Sequence, residues 1–422
     1  MFKKITLRNG LRIILAPIRN TQAVTVLVLV ATGSKYETKE TNGISHLLEH
    51  LLFKGTKKRP NKIAIAEPLD RIGGIYNAFT SEDYTGYYAK VSSEHLNLAL
   101  DIISDIYLNS QLPEEEIQRE KKVIIEEINM YRDQPDVYVQ SLWNKVLYGD
   151  QPAGWDIAGT KRSVLRISRS ELQSYMKRQY SAKNTVLCLA GALPGIEKSL
   201  RKAKEFFKGI KKRKTIKKPK VLEDQKKPEV LILNKDTDQT HFCLGVRGFN
   251  LFNPKKYAKE LISLILGGMM SSRLFLKIRE EMGLAYYIKT ISSSDPDTGY
   301  LYTQAGVATN KVKEAIKEIL KEYKRLTREE VSKKELEKAK EHFKGKMDLY
   351  LETSDAIASF YGTQEILENK IYTSKEIFAK INKVTVSDIR KVSQEIFRPE
   401  KLNLALIGPF KEKKEFKEIL KL

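Results

Sequence analysis

Residues 42–50 read Asn42-Gly43-Ile44-Ser45-His46-Leu47-Leu48-Glu49-His50, which sets two imidazoles four residues apart with a carboxylate just before the second. On a helix four residues advance about 400°, so His46 and His50 lie about 40° apart on one face, one turn above the other. Both rings can then reach one ion. Leu47, Leu48, Leu51 and Leu52 supply an apolar face that holds such a helix against a core. Glu49 flanks the same site, where a carboxylate can accept a proton from water. The plainer reading puts two His and a Glu on the polar edge of an amphipathic helix. With only five His in the chain, this spacing arising by chance is improbable.

A chain of 422 residues exceeds the usual single core, and 41% hydrophobic content with interspersed charge describes a folded globular protein. The formal charge of +22 raises nucleic acid, anionic lipid and acidic peptides as partners. Its Lys residues, however, are scattered along helical patterns such as 310–326, and no nucleic-acid recognition module accompanies them, so no nucleic acid is expected. Around Asn9-Gly10 the first residues alternate as a β-hairpin rather than forming an export signal, and no run reaches the ~18 apolar residues of a membrane span. Cys188 and Cys243 sit in apolar, strand-like runs, as buried thiols do. The expectation is a cytoplasmic, soluble protein with no membrane partner.

Shifting the sequence by 217 positions aligns residues 170–193 with 387–410, a helix followed by a strand, and lays 23–30 on 240–247. One offset serving distant segments indicates duplication. The basic, Pro-containing run Lys211 to Lys220 reads as a solvated linker. The expected division is therefore 1–210, a linker at 211–221, and 222–422. The first half reads as a hairpin (3–17), a strand (24–31), the His helix, a helix (61–72), paired strands (74–79 and 83–91) and long helices (94–108 and 114–132). This predicts an α+β fold of two homologous α/β-sandwich halves, with antiparallel sheets and helices packed on one face.

Catalytic zinc sites use three protein ligands, so a further carboxylate should arrive from elsewhere. The helix 114–132 offers Glu120, Glu126 and Glu127. Glu120 and Glu127 are two turns apart and share a face, whereas Glu126 is rotated by about 100°. Periodicity leaves Glu126 and Glu127 nearly equal as ligands.

The run Gly33-Ser34-Lys35-Tyr36-Glu37, the segment 42–50, and Phe53-Lys54-Gly55-Thr56 resemble the signature of the pitrilysin/insulinase family of zinc peptidases. The similarity continues through Gly73-Gly74, Asn77-Ala78-Phe79-Thr80-Ser81, Tyr84-Thr85, Glu120 to Glu127 and Gly159-Thr160. It resumes at Ser272-Arg273-Leu274-Phe275 and from Arg279-Glu280 to Gly283-Leu284-Ala285-Tyr286. That resemblance implies a Zn2+ cofactor held by His46, His50 and Glu127, Glu49 as catalytic base, and Glu120 as a supporting carboxylate. It further implies that Arg279 and Tyr286 hold the substrate carbonyl, and that Asn77, Ala78 and Phe79 grip an extended peptide along an edge strand. At the 217 offset Ser263, Leu266 and Gly267 replace His46, Glu49 and His50, so the second half should lack the metal.

Longer members carry four such subdomains, and this chain has two. It is similar to the short bacterial forms and to mitochondrial processing peptidase subunits, in which two chains close a clam-shell chamber. Because this chain has both the ligands and the Arg/Tyr pair, a homodimer with sites shared between chains is expected. The implied activity is zinc-dependent endopeptidase hydrolysis of peptides. A structural scaffold, like the respiratory-complex core subunits that resemble the family, would need none of His46, Glu49, His50 and Glu127 together. A dedicated maturase of a leader or ribosomally made peptide would share the chemistry and differ in substrate.

Overall fold

The computed structural model describes residues 2–422, which form two compact units. The first comprises residues through Asn129, Asp156–Pro219 and Asp348–Thr373; the second comprises Met130–Trp155, Lys220–Met347 and Ser374–Leu422. Each sequence half thus builds one sheet, and one helical segment from each is counted with the other sheet.

The first unit holds strands β1 (Lys3–Thr6), β2 (Arg12–Pro17), β3 (Ala23–Val30), β4 (Ile75–Thr80), β5 (Thr85–Ser92) and β6 (Thr185–Gly191), in the order β1-β2-β6-β3-β5-β4. The second holds β7 (Glu229–Asn234), β8 (Gln239–Arg247), β9 (Ala285–Ser294), β10 (Gly299–Ala308) and β11 (Leu402–Gly408), in the order β7-β11-β8-β10-β9. Apart from β1, the second order repeats the first, and β11 follows β6 at the 217 offset, so the halves are homologous in topology as well as in sequence.

Two features of the expected sheets need correction. Each sheet is mixed rather than antiparallel, because β2 runs parallel to β6 and β7 parallel to β11. Helices also cover both faces. In the first unit the main core joins one face to helices Ile44–Leu52, Leu96–Asn109 and Glu114–Asp133, while Ala358 and Ile366 of helix Ser354–Glu368 pack on Leu27, Leu29, Val186 and Cys188 of the other. In the second unit Val139, Leu142 and Trp143 of helix Pro135–Tyr148 pack on Cys243, Tyr302 and Ala405. The reason lies in the central strands. β3 and β6 are apolar on both faces, and such strands require cover on both.

Ion pairs fasten the covering helix of the first unit. Glu365, with its side chain fully buried, receives Lys4 at 2.7 Å and Arg12 at 3.4 Å, and Lys90 meets Asp355 at 2.7 Å. Cys188 and Cys243 are buried free thiols, and burial pushes both pKa values up. No helix among the described residues is long and apolar enough to cross a membrane.

Candidate metal centre

The helix Ile44–Leu52 carries His46, Glu49 and His50. Leu47, Leu48, Leu51 and Leu52 are fully buried, each stabilising the helix position by roughly 2 kcal/mol. Its start is capped by a residue a few positions upstream. Glu37 is buried, and its carboxylate accepts from the backbone amides of Gly43 (2.8 Å) and Ser45 (2.9 Å) and from Asn42 Nδ2 (3.0 Å), satisfying donors that a helix N-terminus leaves open. Burial pushes the Glu37 pKa up to about 7 despite these bonds. Gly43 has φ +96°, and a Cβ there would lie 2.7 Å from the Ala158 carbonyl oxygen. The glycines of the Asn42-Gly43 and Gly159-Thr160 motifs therefore allow two backbones to touch behind the site.

His46 Nε2 and His50 Nε2 each lie 3.7 Å from Glu127 Oε2, on helix Glu114–Asp133. One donor atom from each of the three residues lies within 4.8 Å of the others, the one such cluster among the described residues. Ligands about 2.1 Å from a tetrahedral zinc stand about 3.4 Å from one another, close to the two distances from Glu127, so the cluster can hold a divalent metal. The chemistry of the donors agrees. Burial and the nearby His50 depress the His46 pKa to about 3, keeping that imidazole neutral, as a ligand must be.

Glu120 approaches His50 from behind, accepting from Nδ1 at 3.0 Å and leaving Nε2 toward Glu127. It also pairs with Lys54 at 2.6 Å. Burial would raise the Glu120 pKa, but the His50 and Lys54 bonds outweigh it and hold the carboxyl below its usual range. For His50 the balance is also against burial, since Glu120, Glu49 and Glu127 raise its pKa. Glu120→Gln is therefore expected to weaken zinc binding by ~10- to 100-fold, measured by competition with a chromogenic chelator, with little change in fold. Unchanged affinity would show that the Nδ1 bond does not tune the ligand.

Glu49 is mostly buried on the same helix, and its Oε2 accepts from Thr80 Oγ1 at 2.6 Å. Burial foremost, and then the charge of Glu127, raise its pKa above the ordinary carboxylate value, although Thr80 and His50 act the other way. Glu126 is exposed, and Asn129 Nδ2 lies 3.5 Å from its carboxylate, so it stands apart from the cluster.

Asn77, Ala78 and Phe79 lie on β4, which pairs only with β5 and so forms one edge of the sheet. Asn77 Oδ1 accepts from the Ala78 amide at 2.9 Å. The turn after β4 is gripped by the Gly33 to Glu37 segment: Ser34 and Lys35 amides donate to the carbonyls of Ser81 and Glu82, and a Cβ on Gly33 would lie 2.1 Å from the Ser81 oxygen. Lys35 pairs with buried Asp83 at 3.0 Å, joining the helix approach to the strand.

Arg279 and Tyr286 belong to the second unit. Arg279 sits in a π-helical turn, Phe275–Glu281, with its guanidinium 4.8 Å from the Phe275 ring centre and 3.8 Å from Glu280. Tyr286 is 75% exposed and is the unpaired residue of a bulge, since Gly306 pairs with Tyr287 and Val307 with Ala285. π-turns and bulges both recur where a side chain must be re-aimed. The second unit shows why it holds no equivalent metal site. At Gly267, the counterpart of His50, a Cβ would meet Thr290 Oγ1 at 2.4 Å, leaving no room for an imidazole.

Reading by residue type missed Thr80 and Lys54 as partners of the site carboxylates. Both fall inside motif runs already singled out, but neither signals its role without the fold.

A two-unit α/β chain with a His-x-x-Glu-His helix and a carboxylate that joins its two imidazoles in one cluster able to hold a metal has a metallopeptidase-like architecture. Residues 12–161 match the insulinase family, peptidase family M16, and residues 166–343 match the peptidase M16 inactive domain. The Bacillus subtilis (strain 168) protein named Uncharacterized zinc protease YmxG is 38% identical over 410 residues, 97% of this chain and 98% of that one. An uncharacterized zinc protease of Rickettsia bellii is 33% identical over 411 residues, covering 97% and 98%. This chain belongs to the insulinase (M16) peptidase family. Its fold matches the crystal structure of a protease from Helicobacter pylori with a TM-score of 0.90 at 24% identity, covering 97% and 99% of the two chains. A chain of complex III2 from Candida albicans matches with a TM-score of 0.84 at 18% identity, over all of both chains.

Proposed function

We propose that this protein is a zinc-dependent endopeptidase, a reading carried by the convergence of His46, His50 and Glu127 with the buried carboxylate of Glu49 beside them. A metal held there supplies a Lewis acid and lowers the pKa of water toward ~7. Glu49 takes the water proton and passes it to the leaving amine. Thr80 holds that carboxylate in place through its hydroxyl. Glu120 fixes the His50 ring, and Lys54 fixes Glu120.

The substrate adds to β4 as an extended strand, engaging Asn77 and the backbone of Ala78 and Phe79. The free edge of β4 and the exposed side chain of Asn77 on it support this mode. Arg279 fixes the peptide carbonyl region, and Tyr286 donates to the oxygen that gains charge. The exposed phenol at a bulge supports that role. The residues 1–210 and 222–422 act as catalytic and substrate-holding domains, with 211–221 as linker. The working form is a cytoplasmic homodimer whose chamber pairs one chain's first half with its partner's second half.

Mixing inactive Glu49→Gln with inactive Arg279→Ala tests the shared site. Subunit exchange should restore up to one good site per mixed dimer, read as recovered peptide cleavage. No recovery despite demonstrated exchange would remove shared sites from the proposal. A non-catalytic scaffold is the competing reading. It requires no cleavage even with metal bound.

A further inference from the structure

The bulge at Tyr286 rests on a row of residues to which no role has been assigned. Tyr287, Gly306 and His241 are direct neighbours across β9, β10 and β8. Gly306 leaves its place in the row empty, and a Cβ there would lie 2.5 Å from Tyr287 Cε1. The Tyr287 ring therefore reaches across β10 and stacks on His241, with ring centres 5.9 Å apart and planes 26° apart. Its hydroxyl lies 3.0 Å from His241 Nδ1 and receives Gln304 Nε2 at 3.3 Å. The Gln304 amide is itself oriented, because Nε2 also donates to the Asp136 carbonyl oxygen at 2.5 Å, and that oxygen can only accept. With Gln304 donating to it, the Tyr287 hydroxyl gives its proton to His241 Nδ1, and the chain runs one way from Gln304 through Tyr287 to His241.

We infer that Tyr287, latched across Gly306 to His241 and Gln304, is a positioning residue that sets the β-bulge and so aims Tyr286 at the substrate. The extra residue of a bulge is left unpaired by the ladder, and the bulge re-aims its side chain, so the neighbour that holds the bulge in register bears on that aim. Tyr286 has no partner on β10 and a largely exposed side chain, and it is flanked by Ala285 and Tyr287, which pair with Val307 and Gly306. The inference rests on the proposed role of Tyr286 in peptide hydrolysis.

A double-mutant cycle in the full-length zinc-loaded protein tests it, using a peptide that the wild type cleaves. Tyr287→Phe should lower kcat by ~5- to 30-fold with KM changed less than ~2-fold and metal content unchanged. In a Tyr286→Phe background the same substitution should cost less than ~2-fold, because nothing remains to be aimed. If Tyr286→Phe lowers kcat but Tyr287→Phe does not, or if the two losses multiply, the latch is overturned and the proposed function stands. If Tyr286→Phe leaves kcat unchanged, both the latch and the role of Tyr286 fail. Should Tyr287→Phe not fold, His241→Ala, which removes the acceptor from the end of the row, is read in the same cycle with the same criteria.

Discussion

Glu49→Gln should reduce peptide hydrolysis by at least ~10²-fold while leaving metal content and folding intact. The substitution removes the proposed acid–base function and little else. Glu49 is outside the cluster of three donor atoms, so all three of them stay in place. Its carboxylate accepts one hydrogen bond from Thr80, which a Gln carbonyl oxygen can still accept. Burial already disfavours its charge, so replacement by a neutral isostere relieves a cost rather than adding one. A parallel measurement of kcat and of zinc per chain distinguishes the outcomes. A loss below ~10-fold with zinc retained would remove Glu49 from the proton transfers.

His50→Ala should be the most damaging change at the metal itself. It deletes one of the three clustered donor atoms and also strips Glu120 of the Nδ1 donor, leaving that carboxylate with Lys54. Zinc affinity should fall by more than ~10²-fold, since altering a mere supporting partner already costs ~10- to 100-fold. Because a ligand that binds only the folded state stabilises it by mass action, added zinc should raise the wild-type Tm and leave that of His50→Ala unmoved. Differential scanning calorimetry with and without zinc reads this directly. An equal rise in both proteins would place the metal elsewhere.

The parts of this molecule written in local periodicity were legible in its sequence. The His helix, its apolar face, the hairpin at Asn9-Gly10 and the long helices all follow from spacing within one element. The ligand choice between Glu126 and Glu127 was not, because it depends on how helix Glu114–Asp133 is rolled about its axis. Ile117, Ile124 and Ile128 fix that roll by burial, while Val123, equally apolar, is left 49% exposed. Only the packed stripe shows which carboxylate turns inward, and the family resemblance supplied the same answer by another route.

The parallel strand pairs and the helices on the second face depart from the antiparallel, one-faced sheets that the sequence suggests, since both arise from pairing between residues far apart in the chain. A warning was present in β3 and β6. Their unbroken apolar runs fit strands covered on two faces better than strands with one wet side. The bulge at Tyr286 belongs to the same class, because register between β9 and β10 is a property of the pair.

The most direct test of the central claim is cleavage of a mixed peptide library by the purified full-length chain, with new termini mapped by mass spectrometry and bound metal quantified in the same sample. The account predicts cleavage with zinc bound at His46, His50 and Glu127, its loss on chelation, and its return when zinc is restored. A chain that carries one zinc at these residues and produces no new termini from the library would contradict it.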